Sequence, residues 1–233
     1  MPCTLPASLA DAAVCRGSFH AVLGGEAGEA VFADFSAALQ KAQAEGRILT
    51  ASLFRYENHL FFYAEGLPRP FTPQGLCPAL AAALLPWPPA LGEAAPRPWA
   101  AMQPYFYHDV PTTAADWQQG RCPQRRRGRI ALLPPDSWCS YMEHHLRIVT
   151  EGLVEGDRWH LICVQEGVLF SYLEEPRTNV NIKHQPGAHS PELDAWIAAD
   201  PESHFARFTP EQKAHPDSSH NFVFLPRIAG TED

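Results

Sequence analysis

No two cysteines in this chain are spaced as CxxC. The six thiols, Cys3, Cys15, Cys77, Cys122, Cys139 and Cys163, are scattered over 233 residues. That scatter excludes a compact zinc cluster or a disulfide frame and reads as reduced thiols. Long apolar runs are missing too. Nothing approaches the roughly 18 uninterrupted apolar residues that a membrane-spanning helix needs. Positive charge is scarce: 18 Lys and Arg stand against 26 Asp and Glu, a formal net charge of -8. A general nucleic-acid binder needs surplus cations, so neither a nucleic acid nor a membrane is expected as a partner. The first 15 residues contain no Lys or Arg. They lack the charged start of a secretory leader, and a cytoplasmic location is expected. The sequence also has no GxGxxG, GxxxxGK[ST] or GxSxG, which leaves nucleotide binding by those routes and α/β-hydrolase chemistry without support.

What the chain does have is enough apolar material for a core, 45% of its residues, and 23 prolines that favour short elements and stiff loops. It also reads as one unit written twice. At an offset of 110, the strand-like Phe19–Leu23 meets Arg129–Leu133, and Glu45-Gly46 meets Glu155-Gly156. Each of these glycines is expected to end a helical stretch. At an offset of 109, Leu60-Phe61-Phe62-Tyr63-Ala64-Glu65 meets Leu169-Phe170-Ser171-Tyr172-Leu173-Glu174. Each unit closes on a short aromatic strand, Tyr105-Phe106-Tyr107 or Phe222-Val223-Phe224.

In the second unit the pattern predicts a strand over 129–133 and a helix from about Ser137 to Gly152 with Asp136 as its N-cap. Two strands follow, 158–165 and 168–173, around Gln165-Glu166-Gly167. A polar loop leads to a second helix, capped by Ser190 with Pro191 in its first turn and reaching about Phe205. The last strand is 221–225. The order is β-α-β-β-α-β, the ferredoxin-like order. The first unit matches it with strands 18–23, 48–55, 59–64 and 104–108 and helices 28–45 and 74–85. The expected fold is α+β: tandem duplicated ferredoxin-like units packed as an intramolecular dimeric α/β barrel. The boundaries read 13–111 for a degenerate first repeat, 112–128 for a basic linker, and 129–228 for the second repeat. Arg121 and Arg125–Arg127 are read as a solvated linker face. A barrel closed within the chain predicts a monomer with an internal pseudo-dimer, open to further self-association.

One helix carries chemistry. Trp138, Tyr141, Met142, His145, Ile148, Val149 and Gly152 fall on one face, at i, i+3, i+4, i+7 spacing. The face is apolar except for the phenol of Tyr141 and the imidazole of His145, one turn apart. His144 points about 100° away and reads as a surface residue. A core histidine satisfied by a neighbour is the plain reading. An acid–base site is the sharp one, because an imidazole titrates near neutrality. His160, on the next strand, shares a face with Arg158 and Ile162 by alternation. His204 and Phe205 end the second helix. His145, His160 and His204 could also be read as metal ligands, but no compact ligand motif is present and no metal is expected. His184 and His189 read as solvated or lid residues. Cys139 and Cys163 read as small hydrophobes, not nucleophiles.

The second unit resembles the L-rhamnose mutarotase family over about residues 128–228. The resemblance rests on Tyr141-Met142-Glu143-His144-His145 after the strand Arg129–Leu133, on Leu169-Phe170, and on the closing Phe222-Val223-Phe224-Leu225-Pro226. It implies a cofactor-free sugar mutarotase, an isomerase that opens and recloses a monosaccharide ring, with a deoxy sugar or uronate as substrate. It also implies His145 as the acid and Tyr141 as sugar contact, with His160, His204 and Phe205 in substrate-binding positions. The family's tryptophan pair and strand tyrosine are replaced at those positions, which removes a stacking platform. The first unit lacks the step, having Phe32 and Phe35 on its helix and no histidine. A non-catalytic binder of carbohydrates or small molecules on the same barrel, or a cofactor-free oxygenase, are the competing readings.

Overall fold

The computed structural model describes residues 7–177, 183–184, 187–213 and 216–231. The fold is α+β, built on antiparallel sheets, and it divides into two compact units. No helix among the described residues is long and apolar enough to cross a membrane.

The first unit takes residues 1–102, 111–124 and 226–233. Its strands are β1 (Cys15–Leu23), β2 (Ile48–Tyr56), β3 (His59–Gly66) and the short β4 (Leu84–Leu85) and β5 (Ala100–Ala101). Before residue 103 its helices are α1 (Glu29–Ala44) and α2 (Pro78–Ala83). Phe32, Phe35, Leu39 and Ala42 recur at helical spacing along α1 and are buried, which fastens the helix to the sheet. The prolines that follow α2 hold it to six residues, shorter than the 74–85 expected.

The second unit takes residues 103–110 and 125–225. It contains β6 (Gln103–Phe106), β7 (Arg125–Leu132), β8 (Val154–Glu155), β9 (Leu161–Gln165), β10 (Val168–Glu175), β11 (Lys183–His184) and β12 (Val223–Leu225). A short helix of the first unit, α3 (Ala114–Gln118), precedes β7 in the chain. Helix α4 spans Pro135–Glu151 and α5 spans Pro191–Ala198. Ser190 caps α5 as expected, its hydroxyl accepting from the Leu193 N–H at 3.0 Å. That helix stops seven residues short of Phe205, because Asp200 turns left-handed and Pro201 opens a 3-10 turn, Pro201–His204. The expected cap at Asp136 is corrected: Pro134 holds the N-cap position, and Asp136 lies inside the first turn, where the helix dipole favours its charge. The left-handed residue that ends α4 is Gly152 (φ 67°), whereas Gly156, expected to end it, is four residues beyond.

The strand order is β13-β2-β3-β1-β4 in the first sheet, where β13 is Arg227–Gly230, and β12-β7-β10-β9-β6 in the second. Each sheet therefore ends on a strand from the far side of the other unit in the chain. Strand β6 follows the first unit but pairs with β9, and β13 follows the second unit but pairs with β2. The sequence reading put 104–108 in the first repeat and had no strand after 225.

The expected solvated linker is also corrected. Residues 112–128 hold α3 and the start of β7; the side chains of Arg121, Arg126 and Arg127 are buried, and that of Arg125 is exposed. Arg121 makes two hydrogen bonds to the carboxylate of Glu65, at 2.7 and 2.9 Å, and the Tyr63 hydroxyl donates a third at 2.7 Å. Burial alone would raise the Glu65 carboxyl, but Arg121 outweighs it and holds the group below its usual range. In the second unit, Arg126 lies 3.7 Å from Glu174, and the Tyr172 hydroxyl donates to that carboxylate at 2.6 Å. Buried carboxylates need buried cations, and the basic run supplies them.

Candidate functional site

A cavity of about 390 Å³ opens in the second unit. That volume lies within the range of about 300–1,000 Å³ usual for small-molecule sites. Its wall comes from every layer of the unit. Strand β6 brings Phe106, with His108 two residues on, and β7 brings Arg129. From α4 come Tyr141 and His145, and from β9 and its approach Ile162 and His160. Helix α5 adds Leu193 and Trp196, and the segments after it add Phe205 and Phe222. Gly156, Asp157, Arg177 and Glu202 complete the polar part.

Four of the five site residues expected from the sequence, His145, Tyr141, His160 and Phe205, line this cavity together. His204 is outside its lining. Its Nε2 lies 3.3 Å from the Ser140 hydroxyl, and its ring lies 5.1 Å from Trp196 and 5.9 Å from Tyr141, so it packs against residues of the wall. His144 is half-buried against Trp196 and His204, not a plain surface residue. Trp138 does not extend the apolar face. It is exposed, because the first turn of α4 lies outside the packed stretch, which begins at Tyr141. The side chain of His184 lies outside the described residues, and His189 is exposed beside Asp194. Among the described residues, no group of three or more His, Cys, Asp or Glu is placed to hold a metal ion.

His145 is the most constrained group of the site. Its Nδ1 is 2.9 Å from the backbone carbonyl of Tyr141. A carbonyl oxygen only accepts, so Nδ1 carries the proton and Nε2 keeps its lone pair. Burial pushes the imidazole down to about 4; the carbonyl bond opposes this, and nearby His144, His204 and His108 add to it. At neutral pH the ring is uncharged, a proton acceptor at Nε2. Aromatic rings enclose it: Phe106 and Trp196 meet it edge to face at 4.8 Å each, and Tyr141 lies 4.2 Å away. Tyr141 itself stays a neutral phenol. Burial raises it to about 12, held back by the neighbouring Tyr105 hydroxyl and by Arg129.

His108 occupies a tight place. Burial lowers its pKa, against the pull of Asp157. A Cβ built on Gly156 would sit 1.7 Å from His108 Cδ2, so glycine is the residue that lets this ring lie on the backbone. Gly156→Ala is expected to tilt His108 away, narrow the cavity and cost about 1–2 kcal/mol, read by chemical denaturation. Unchanged stability would show that the ring has room to move.

The sequence missed Phe106, His108, Arg129, Trp196 and the Asp157–Arg177 pair. Phe106 lies on β6, a strand that the sequence places beside the first repeat and that pairs with β9, and His108 lies just beyond it. Trp196 was within reach, one turn after Leu193 on α5, and it restores one of the indole faces thought lost. Arg129 was visible only as a strand residue.

No family model matches the chain, and no curated protein matches it. Among solved structures the chain is similar to a candidate monooxygenase from Fusobacterium nucleatum, at 7% identity and a TM-score of 0.40, with 94% of each chain covered. It is similar to a second candidate monooxygenase, from Lactobacillus acidophilus, at 6% identity and a TM-score of 0.38, covering 94% of this chain and 96% of that one. A third structure, an anthrone oxidase-like protein, gives 7% identity and a TM-score of 0.37 over 92% of each chain. The expectation of a rhamnose mutarotase, with its isomerase reaction and carbohydrate role, is corrected on this finding: the solved structures similar to the chain are described by oxidative reactions, and none of these three is a mutarotase.

Proposed function

We propose that the cavity of the second unit binds a small aromatic substrate and that His145 takes a proton from it as a general base. The observation that carries this reading is the neutral His145, its Nδ1–H spent on a backbone carbonyl and its Nε2 free to accept, set in an aromatic-walled cavity. Phe106, Trp196, Phe205 and Phe222 offer ring faces and edges suited to a flat apolar body. A positioned base gains most on a carbon acid, because O–H protons exchange quickly without help. In the step proposed, the Nε2 lone pair takes a proton from an acidic C–H next to a ring or carbonyl. The C–H electron pair stays on the substrate as an enolate, and the ring becomes imidazolium.

The test is deuterium incorporation from D₂O into anthrone, 2-indanone and 2-tetralone, followed by NMR under nitrogen, with oxygen uptake measured in parallel under air. Accelerated exchange for one of these compounds is expected. Oxygen uptake on top of exchange would join the step to the oxidative reactions named for the similar structures. No acceleration with any of the three overturns the reading.

We also read the chain as a tandem duplication of one βαββαβ unit, with boundaries near 13–111 and 129–228. Two features support this. Each sheet contains the ferredoxin-like strand order, as β2-β3-β1-β4 in the first and β12-β7-β10-β9 in the second. Arg16, Tyr63 and Glu65 in the first unit stand 110, 109 and 109 residues before Arg126, Tyr172 and Glu174, which form the matching buried cluster in the second.

A further inference from the structure

Two arginines of the cavity wall, Arg129 and Arg177, are not used by the proton-transfer step. The guanidinium of Arg129 reaches the cavity from β7 and stacks on Phe222, 4.3 Å from the ring centroid. Its Nε is buried without a hydrogen-bond partner among the described residues, and no carboxylate there pairs with it. The two acids of the lining are otherwise engaged. Asp157 lies 3.5 Å from Arg177 in an ion pair, and Glu202 is exposed at the rim, accepting from the side-chain amide of Asn221. The groups that act on Arg129 are Arg177, which repels it, Tyr141 and Tyr105, both held as neutral phenols, and Glu202, which favours its charge from the rim. Burial first and Arg177 second lower the guanidinium to about 10, so it keeps its charge at neutral pH. A half-buried guanidinium with its Nε buried and no carboxylate in ion-pair contact among the described residues has room for an acidic partner brought by a ligand.

Resting on the reading of the cavity as an aromatic binding site, we infer that its substrate carries an ionised acidic group, a carboxylate or its equivalent, and that Arg129 is the residue that selects it. The guanidinium fork matches a carboxylate through paired N–H donors, while the stack on Phe222 fixes its plane. The aromatic body then lies toward Phe106, Trp196 and His145.

The experiment uses the full chain and two probes of one shape, 2-naphthoate and 2-naphthamide, followed by tryptophan fluorescence and calorimetry. The wild type is expected to bind the carboxylate at least tenfold more tightly than the amide. Arg129→Met, which keeps the length and removes the charge, is expected to bring the two probes level by weakening naphthoate alone. Arg129→Lys is expected to keep part of the preference as a point charge, and it serves if the Met variant folds poorly. Equal affinities in the wild type, or a preference that survives in Arg129→Met, would overturn the inference and leave the aromatic site standing. Failure of both probes to bind would overturn the aromatic site and the inference together.

Discussion

His145→Gln is expected to slow proton removal from the substrate by on the order of 10²–10⁴-fold, the contribution of one well-placed base. Glutamine keeps polarity and approximate size but has no nitrogen lone pair able to take a proton at neutral pH. The loss should fall on the rate constant rather than on binding, since Phe106, Trp196 and Arg129 remain in the wall. The wild-type profile supplies the second signature. The base works only when neutral, and its imidazole lies at about 4. The rate through this group should therefore fall below pH 4 and be level from about pH 5 upward. Deuterium incorporation as a function of pH, with wild type and variant side by side, reads both. A limb near pH 6.5 would place the working base elsewhere, His160 being the next histidine of the lining.

The same imidazole should leave a mark on folding. In the unfolded chain it titrates at its ordinary 6.5, and in the fold at about 4. Between those values the unfolded state binds a proton that the native state refuses. Stability is therefore full above pH 6.5 and is lost as pH falls toward 4. The interval corresponds to about 3 kcal/mol, of which about 2–3 kcal/mol should be gone at pH 4.5. His145→Gln removes this contribution to the slope, while His108 and His59, also lowered by burial, keep theirs in both proteins. Urea denaturation of wild type and variant at pH 7 and pH 4.5 isolates it as a difference of differences. Parallel slopes would mean that His145 accepts a proton in the folded state with ease, against its enclosed position.

Much of the site was legible because it rides on one helix. The spacing of Tyr141, His145 and Ile148 is enough to turn a phenol and an imidazole inward, and the burial of all three follows from it. The elements of each unit were legible for the same reason: apolar periodicity is a local property. The direction of proton transfer proposed for His145 does not rest on local signals. Whether His145 gives or takes a proton depends on the carbonyl one turn back, on burial, and on the other histidines around it. Only the folded chain brings these together. Phe106 and Trp196 illustrate the same limit at two ranges. Trp196 is a short step along α5 from a residue already read as buried, whereas Phe106 belongs to a strand whose partner lies more than fifty residues ahead. Arg129 had no chance of being singled out, since a basic stretch looks the same whether its charges are paired, as at Arg127, or waiting.

The exchange of edge strands has a consequence for synthesis. A ribosome delivers β2 before the whole second unit and β13 after it. Until then the outer edge of β2 has exposed N–H and C=O groups and no neighbour, the condition under which strands recruit the wrong partner. The first unit, although most of it is translated before the second, is thus completed only after it. Dissection meets the same obstacle. A cut anywhere from 111 to 124 leaves β6 on the piece that does not need it and strips β13 from the piece that does. Fragments made in this way are expected to hold together only when both are present, each carrying the strand the other lacks.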